Sequence, residues 1–138
     1  MNRPAPQDVR NITCIGGGVI GAGWAAGFLA KGYDVTVQDI NASAEDQMRR
    51  IIDSAWPSLE TMGLAAGASK DRVRFTTDLA DAVANADFVQ ESGPERMDIK
   101  QDMYAAMDAA MPNDVVIASS TSGLLMSDIQ AKSGNPRR

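Results

Sequence analysis

The chain predicts an α/β fold built on an open, doubly wound parallel sheet. Three observations predict it. Strand-like and helix-like patterns alternate along the 138 residues, the first such pair is joined by a cluster of glycines, and the second strand ends in an acid. Alternation of this kind requires parallel pairing with right-handed crossovers, and the expected strand order is 3-2-1-4-5.

Asn11 to Ile15 is a short β-favouring run, and Val19 to Lys31 follows with small and apolar residues at helical spacing until Gly32 stops it. Tyr33 to Asp39 alternates and is rich in β-branched residues, as a second strand should be. Ala44 to Leu64 reads as a longer helix, with Ser43 as N-cap and Met48, Ile51, Ile52, Ala55 and Leu59 on one face. Pro57 is expected to kink or divide it. Gly63 to Ser69 is a turn region, Arg72 to Thr76 a third strand, and Asp78 to Ala84 a short helix capped by Asp78.

Asp87 to Glu91 reads as the fourth strand and Ser92-Gly93-Pro94 as a break. Glu95 to Met111 then reads as a helix that buries Ile99, Met103, Ala106, Met107 and Ala110. Val115 to Ala118 is the clearest buried strand, Ser119 to Gly123 a polar loop, and Ser127 the cap of a last short helix. Residues 1–10 form a frayed lead-in, and residues 11–138 a single domain.

Composition narrows the function. Apolar residues at 44% and charged residues at 22% are ordinary globular usage. The net charge of −5 and the lack of a basic stripe argue against nucleic acid. No apolar run approaches the roughly 18 residues of a membrane span, and Met1 to Arg10 has no secretory apolar core. Cys14 is the sole cysteine, which excludes an internal disulfide and a cysteine-based metal site. A reducing, cytoplasmic setting is the simplest inference, and no metal is expected. The chain contains no histidine, the commonest proton acceptor for alcohol oxidation near neutral pH.

Gly16-Gly17-Gly18-Val19-Ile20-Gly21 matches G-x-G-x-x-G with a strand before it and a helix after it, the context of a Rossmann-type dinucleotide turn. Gly16 permits the tight turn, Gly18 admits a pyrophosphate close to the backbone, and Gly21 lets helix and strand pack closely. Gly23 and Gly27 continue the small face. The helix from Val19 would turn its unpaired N–H groups on the pyrophosphate. Asp39, 23 positions after Gly16, is placed to accept from both adenosine ribose hydroxyls and would repel a 2′-phosphate, so NAD is expected over NADP. A structural turn that binds nothing, and a site for FAD or another adenosine ligand, stay open as rivals.

Residues 11–138 resemble the N-terminal domain of the 3-hydroxyacyl-CoA dehydrogenases. Three stretches carry the resemblance: Ile15 to Trp24, Ala86 to Glu95 and Ile117 to Leu124. The resemblance implies that Glu95 and Lys100 lie near the nicotinamide end of the cofactor, and that Ser122 hydrogen-bonds the reacting oxygen of a small-molecule substrate. Without the resemblance, Glu95 and Lys100 read as a solvated helix face and Ser119 to Gly123 as a simple turn. The resemblance also implies a general-base histidine in a Gly-His-x-x-Asn-Pro segment on a following strand, then a helical substrate and dimerisation domain giving a homodimer. The chain ends before these, so the last strand and the helical domain are expected to be missing. It is therefore expected to bind NAD without turning over substrate alone, and to self-associate or be marginally stable through its unpaired sheet edge.

The substrate implied is a 3-hydroxy acid. Residues 40–64 offer only Arg49 and Arg50 among Glu45, Asp46, Asp53 and Glu60, which leans away from the phosphates of an acyl-CoA and towards a carnitine-like acid, with L-gulonate further behind. A self-standing NAD-binding module without chemistry is the rival from another class.

Overall fold

The computed structural model describes residues 4–138. Five strands, β1 (Asn11–Ile15), β2 (Asp34–Gln38), β3 (Val73–Thr76), β4 (Phe88–Glu91) and β5 (Val116–Ser119), form one sheet. All its pairings are parallel and its order is β3-β2-β1-β4-β5, as the alternation predicts. The order reverses beside β1, so the crevice beyond the carboxyl ends of β1 and β4 is the place where such sheets take ligands.

Helices α1 (Val19–Ala30) and α2 (Ala44–Met62) cover one face, while α3 (Leu79–Val83), α4 (Met97–Ala110) and α5 (Met126–Ile129) cover the other. The strand period of two assigns side chains to each core. Ile12 and Cys14 of β1 pack with Val35, Val37, Leu29, Met48 and Ile52, whereas Ile15 packs with Val83, Val89, Tyr104 and Met107. Thr13 shares the second face and satisfies its buried hydroxyl by donating to the Ala82 carbonyl at 2.7 Å. Burial also pushes the Cys14 thiol up to about 12, so it sits in the core as an inert apolar group.

Several local expectations need correcting. Pro57 does not divide α2, which runs unbroken from Ala44 to Met62. Its ring lies on the exposed face, where water can replace the missing donor, and Trp56 beside it is anchored in the core. Ser43 is the N-cap residue of α2 as expected, but its hydroxyl pairs with Asn41 and makes no side-chain capping bond to the helix. Asp78 does cap α3, its carboxylate accepting from Asp81 N at 3.0 Å. Ser127 falls inside α5, whose N-cap is Leu125.

The largest correction concerns α4. It starts at Met97, and its buried stripe is Lys100, Tyr104 and Met107, continued by Met111 beyond its end. Ile99, Met103 and Ala110 are only half-buried and Ala106 is exposed. A lysine can occupy the buried stripe because a carboxylate on β4 meets it there.

β5 is an edge strand on which only Ile117 is fully buried. On its outer side Ile117 N donates to the Arg138 carbonyl at 3.2 Å. The Arg138 guanidinium lies 2.7 Å from Asp108 with both side chains nearly buried; the Nε and Oδ1 atoms are in ionic contact without an aligned hydrogen bond.

Of the lead-in, Pro6–Asp8 forms one 3₁₀ turn, and the backbone at Arg10 and Asn11 is held by the Asp87 carboxylate at 2.9 and 2.8 Å. Residues 1–3 of the expected lead-in lie outside the described residues. Among the described residues no helix is long and apolar enough to cross a membrane.

Candidate functional site: a dinucleotide groove across the switch point

The turn between β1 and α1 is built by close approach. Gly16 has φ +98°, a conformation side chains rarely adopt, and its N–H donates to the Gln38 carbonyl at 2.7 Å. A Cβ on Gly21 would fall on the Gly16 carbonyl oxygen, which is why helix and strand can pack this tightly only with glycine there. Around Gly18 there is open space, and α1 begins there with no side-chain cap. Its first-turn N–H groups therefore face the crevice beside Val19 and Ile20, which are 69% and 59% exposed. These are the properties an anion site needs.

Asp39 follows β2 and is preorganised. One carboxylate oxygen accepts from Gly17 N at 2.8 Å and the other from Asn41 N at 2.9 Å, which fixes the group at the lip of the turn. Beside it opens a largely apolar cleft of about 540 Å³, walled by Ile40, Thr77, Leu79, Pro94 and Met103. Ile40 is 92% exposed, an aliphatic surface able to lie against a flat base. This end offers a fixed carboxylate acceptor beside an apolar wall.

A second recess of about 220 Å³ lies beyond β4 and β5, lined by Ile20, Gly93, Glu95, Lys100, Ser120 and Ser122. Gly93 borders both spaces, and the β1–α1 turn contributes Gly16 to the first and Ile20 to the second, so the two adjoin beside the start of α1. Glu95 stands in the loop before α4. Its Oε1 accepts from Thr121 Oγ1 at 2.5 Å and faces Ser122 N and Gly123 N at 3.3 and 3.4 Å, so one carboxylate ties the loop after β4 to the loop after β5. The Thr121 hydrogen bond, helped by those two amides and by the Lys100 charge, holds the Glu95 carboxyl below its ordinary value of 4.5. The exposed hydroxyl of Ser122 makes no hydrogen bond among the described residues.

Lys100 is not on a solvated face. It is 1% exposed, with its ammonium 2.6 Å from Glu91 and 3.6 Å from Glu95. Glu91, fully buried, also accepts from Gly93 N at 2.6 Å and from Ser119 Oγ at 2.6 Å. Tyr104 donates to it more weakly at 3.4 Å, and burial followed by the Glu91 charge raises the tyrosine hydroxyl above its usual range.

Glu91 is the central residue that sequence reasoning missed. An acid ending a strand covered on both faces needs a buried partner, and that signal was present in Val89-Gln90-Glu91. Gln90, Ser92 and Ser120 form a second network, with the Ser120 hydroxyl 3.0 Å from Gln90 Nε2 and 2.9 Å from Ser92 Oγ. The structure places Gly16 and Asp39 on the first space and Ile20, Glu95, Ser122 and the buried Lys100 on the second, with the turn from Gly16 to Gly21 beside both.

Fold and groove together define a dinucleotide-binding domain of the Rossmann type. The model of the 3-hydroxyacyl-CoA dehydrogenase NAD-binding domain matches residues 11–138. The chain belongs to that family, and NAD is its cofactor.

An L-carnitine dehydrogenase of Streptomyces griseus subsp. griseus is 56% identical over 134 residues, covering 97% of this chain and 40% of the relative. One of Streptomyces coelicolor is 53% identical, covering 97% and 42%. The chain thus spans about two fifths of the length of these relatives. Among solved structures, a 3-hydroxybutyryl-CoA dehydrogenase from Escherichia coli K12 superposes with a TM-score of 0.82 at 30% identity, covering 93% of this chain and 28% of that one. An NAD+-dependent 5-formyl-3-hydroxy-2-methylpyridine 4-carboxylic acid 5-dehydrogenase gives 0.83 at 36%, covering 93% and 42%.

Proposed function

We propose that this chain is the cofactor-holding part of a dehydrogenase that oxidises the 3-hydroxyl of a small 3-hydroxy acid, with carnitine ahead of 3-hydroxyacyl-CoA and L-gulonate. The observation that carries the reading is the pair of adjoining recesses, one holding Asp39 and the other Ser122 and Glu95, that meet at Gly93 beside the uncapped start of α1.

In this reading the Asp39 carboxylate accepts from the adenosine ribose hydroxyls, with Gly17 at its side. Gly16, Gly18 and Gly21 let the backbone reach the pyrophosphate, and the N–H groups at Val19 and Ile20 bind it. Bound NAD supplies a hydride acceptor. Ser122 donates a hydrogen bond to the substrate oxygen, its free hydroxyl being suited to that. Glu95 and Lys100 complete the nicotinamide end, Lys100 acting from beneath rather than by an exposed charge.

The hydroxyl proton needs an acceptor, and this chain has no histidine to offer. We assign that role to sequence following residue 138, along with a sixth strand, a helical domain and homodimerisation, in a cytoplasmic enzyme. The names of the relatives support carnitine. So does α2, where Arg49 is held by Glu45 at 2.7 Å and Asp53 takes Lys70 at 2.5 Å, leaving little free positive charge there for CoA phosphates.

The test is to assay NAD+ reduction with L-carnitine for the 138-residue chain and for a form extended to the length of the relatives. No turnover by the first and carnitine-dependent turnover by the second are expected. Turnover by the short chain alone would contradict the division of labour, and an extended form that binds NAD but oxidises no 3-hydroxy acid would favour a cofactor-binding module without chemistry.

A further inference from the structure

The charges around the smaller recess do not balance. Lys100 supplies one positive charge against two carboxylates, Glu91 and Glu95. Lys100 sits 2.6 Å from Glu91 and 3.6 Å from Glu95, so the buried pair is largely self-neutralised and the excess negative charge belongs to Glu95. The neighbouring Arg96 and Asp98 close on each other at 2.7 Å, both exposed, and the facing loop from Ser119 to Gly123 carries no charged residue. Glu95 is held in place by Thr121, Ser122 and Gly123, and its carboxyl stays ionised throughout the neutral range.

A dinucleotide whose adenosine end lies at Asp39 and whose pyrophosphate lies at the start of α1 brings its other ring to this adjoining recess. That ring carries a positive charge when oxidised and none when reduced; the rest of the molecule is the same in both forms. A fixed carboxylate at the recess therefore acts on one redox form only.

We propose that Glu95 biases this domain towards the oxidised, cationic form of its cofactor, through the uncompensated negative charge it places at the nicotinamide recess. The inference rests on the cofactor-domain reading given above. Glu95 has about half its side chain exposed, so solvent screens the effect. Coulomb attraction over one or two contact distances near a protein surface then corresponds to roughly 3- to 10-fold in relative affinity.

The experiment is a calorimetric titration of this chain with NAD+ and, separately, with NADH, for the parent, Glu95→Gln and Thr121→Val. Glu95→Gln is expected to raise the ratio of the NAD+ Kd to the NADH Kd by roughly 3- to 10-fold, through weaker NAD+ binding. Thr121→Val loosens the same loop and leaves the charge in place, so its ratio should stay within about two-fold of the parent. An unchanged ratio in Glu95→Gln, or an equal rise in Thr121→Val, would overturn the proposal while leaving the cofactor domain intact. A parent chain that binds neither form would overturn the cofactor-domain reading and this inference with it.

Discussion

Lys100→Met is expected to lower the unfolding free energy by about 3–5 kcal/mol, the usual cost of leaving a buried charge without its partner. Glu91 would keep its hydrogen bonds from Gly93 N and Ser119 Oγ but lose the ammonium at 2.6 Å while its carboxylate stays 0% exposed. A loss of that size is a large part of the total stability of a small domain. Adding Glu91→Gln removes the orphaned charge and keeps an oxygen for the Gly93 amide, so the double variant should recover at least half of the loss. Urea unfolding of the parent, both single variants and the double variant measures this directly. Equal losses in Lys100→Met and the double variant would mean that an orphaned Glu91 charge is not what the substitution costs.

Gly21→Ala should weaken nucleotide binding by more than about ten-fold and cost about 1–3 kcal/mol of stability, the range for forcing an extra methyl group into a packed site. Its Cβ would meet the Gly16 carbonyl, and relief can come only by lifting α1 off β1 or opening the turn, which removes the geometry that brings phosphate to the backbone. Gly23, two residues further along the same helix, gives the opposite result. A Cβ there meets nothing within 4 Å, and alanine is the better helix former by roughly 0.5–1 kcal/mol. Gly23→Ala is therefore expected to stabilise the chain slightly and leave NADH binding unchanged. If both substitutions behave alike, the close contact at Gly21 is not what holds the turn.

The scaffold of the groove was legible in the chain because its signals are local. The strand, glycine turn and helix from Asn11 to Ala30, and the acid after the second strand, lie within one stretch whose backbone demands can be read residue by residue. The parallel sheet followed from alternation, and its order from taking the glycine turn as that of a Rossmann-type unit.

The nicotinamide end was less legible, since it is made by contacts between distant segments. Glu95 reaches Thr121 across 26 positions and Glu91 reaches Ser119 across 28. Helical periodicity assigned the core face of α4 to Ile99, Met103 and Ala106 because it scores apolar residues. The structure keeps Met107 inward as expected but adds Lys100 and Tyr104 in place of the others, because a buried acid on β4 makes a lysine acceptable there. The expected division at Pro57 failed for a similar reason: the rule that proline breaks helices ignores which face the ring occupies. Resemblance rather than pattern picked out Ser122, whose place on the recess beside Glu95 and Lys100 exists only in three dimensions.

The most direct test of the central claim is a fluorescence titration of this chain with NADH and with NADPH, repeated for Asp39→Ala and Asp39→Asn. Asp39 is held at the lip of the turn by Gly17 and Asn41, where a 2′-phosphate would meet its charge. The parent should bind NADH at least roughly ten-fold more tightly than NADPH. Asp39→Asn, which keeps an acceptor for Gly17, should narrow that gap to within about three-fold, and Asp39→Ala should weaken NADH binding as well. Equal affinity of the parent for both nucleotides, or a preference that survives both substitutions, would contradict the assignment of this groove as an NAD site read by Asp39.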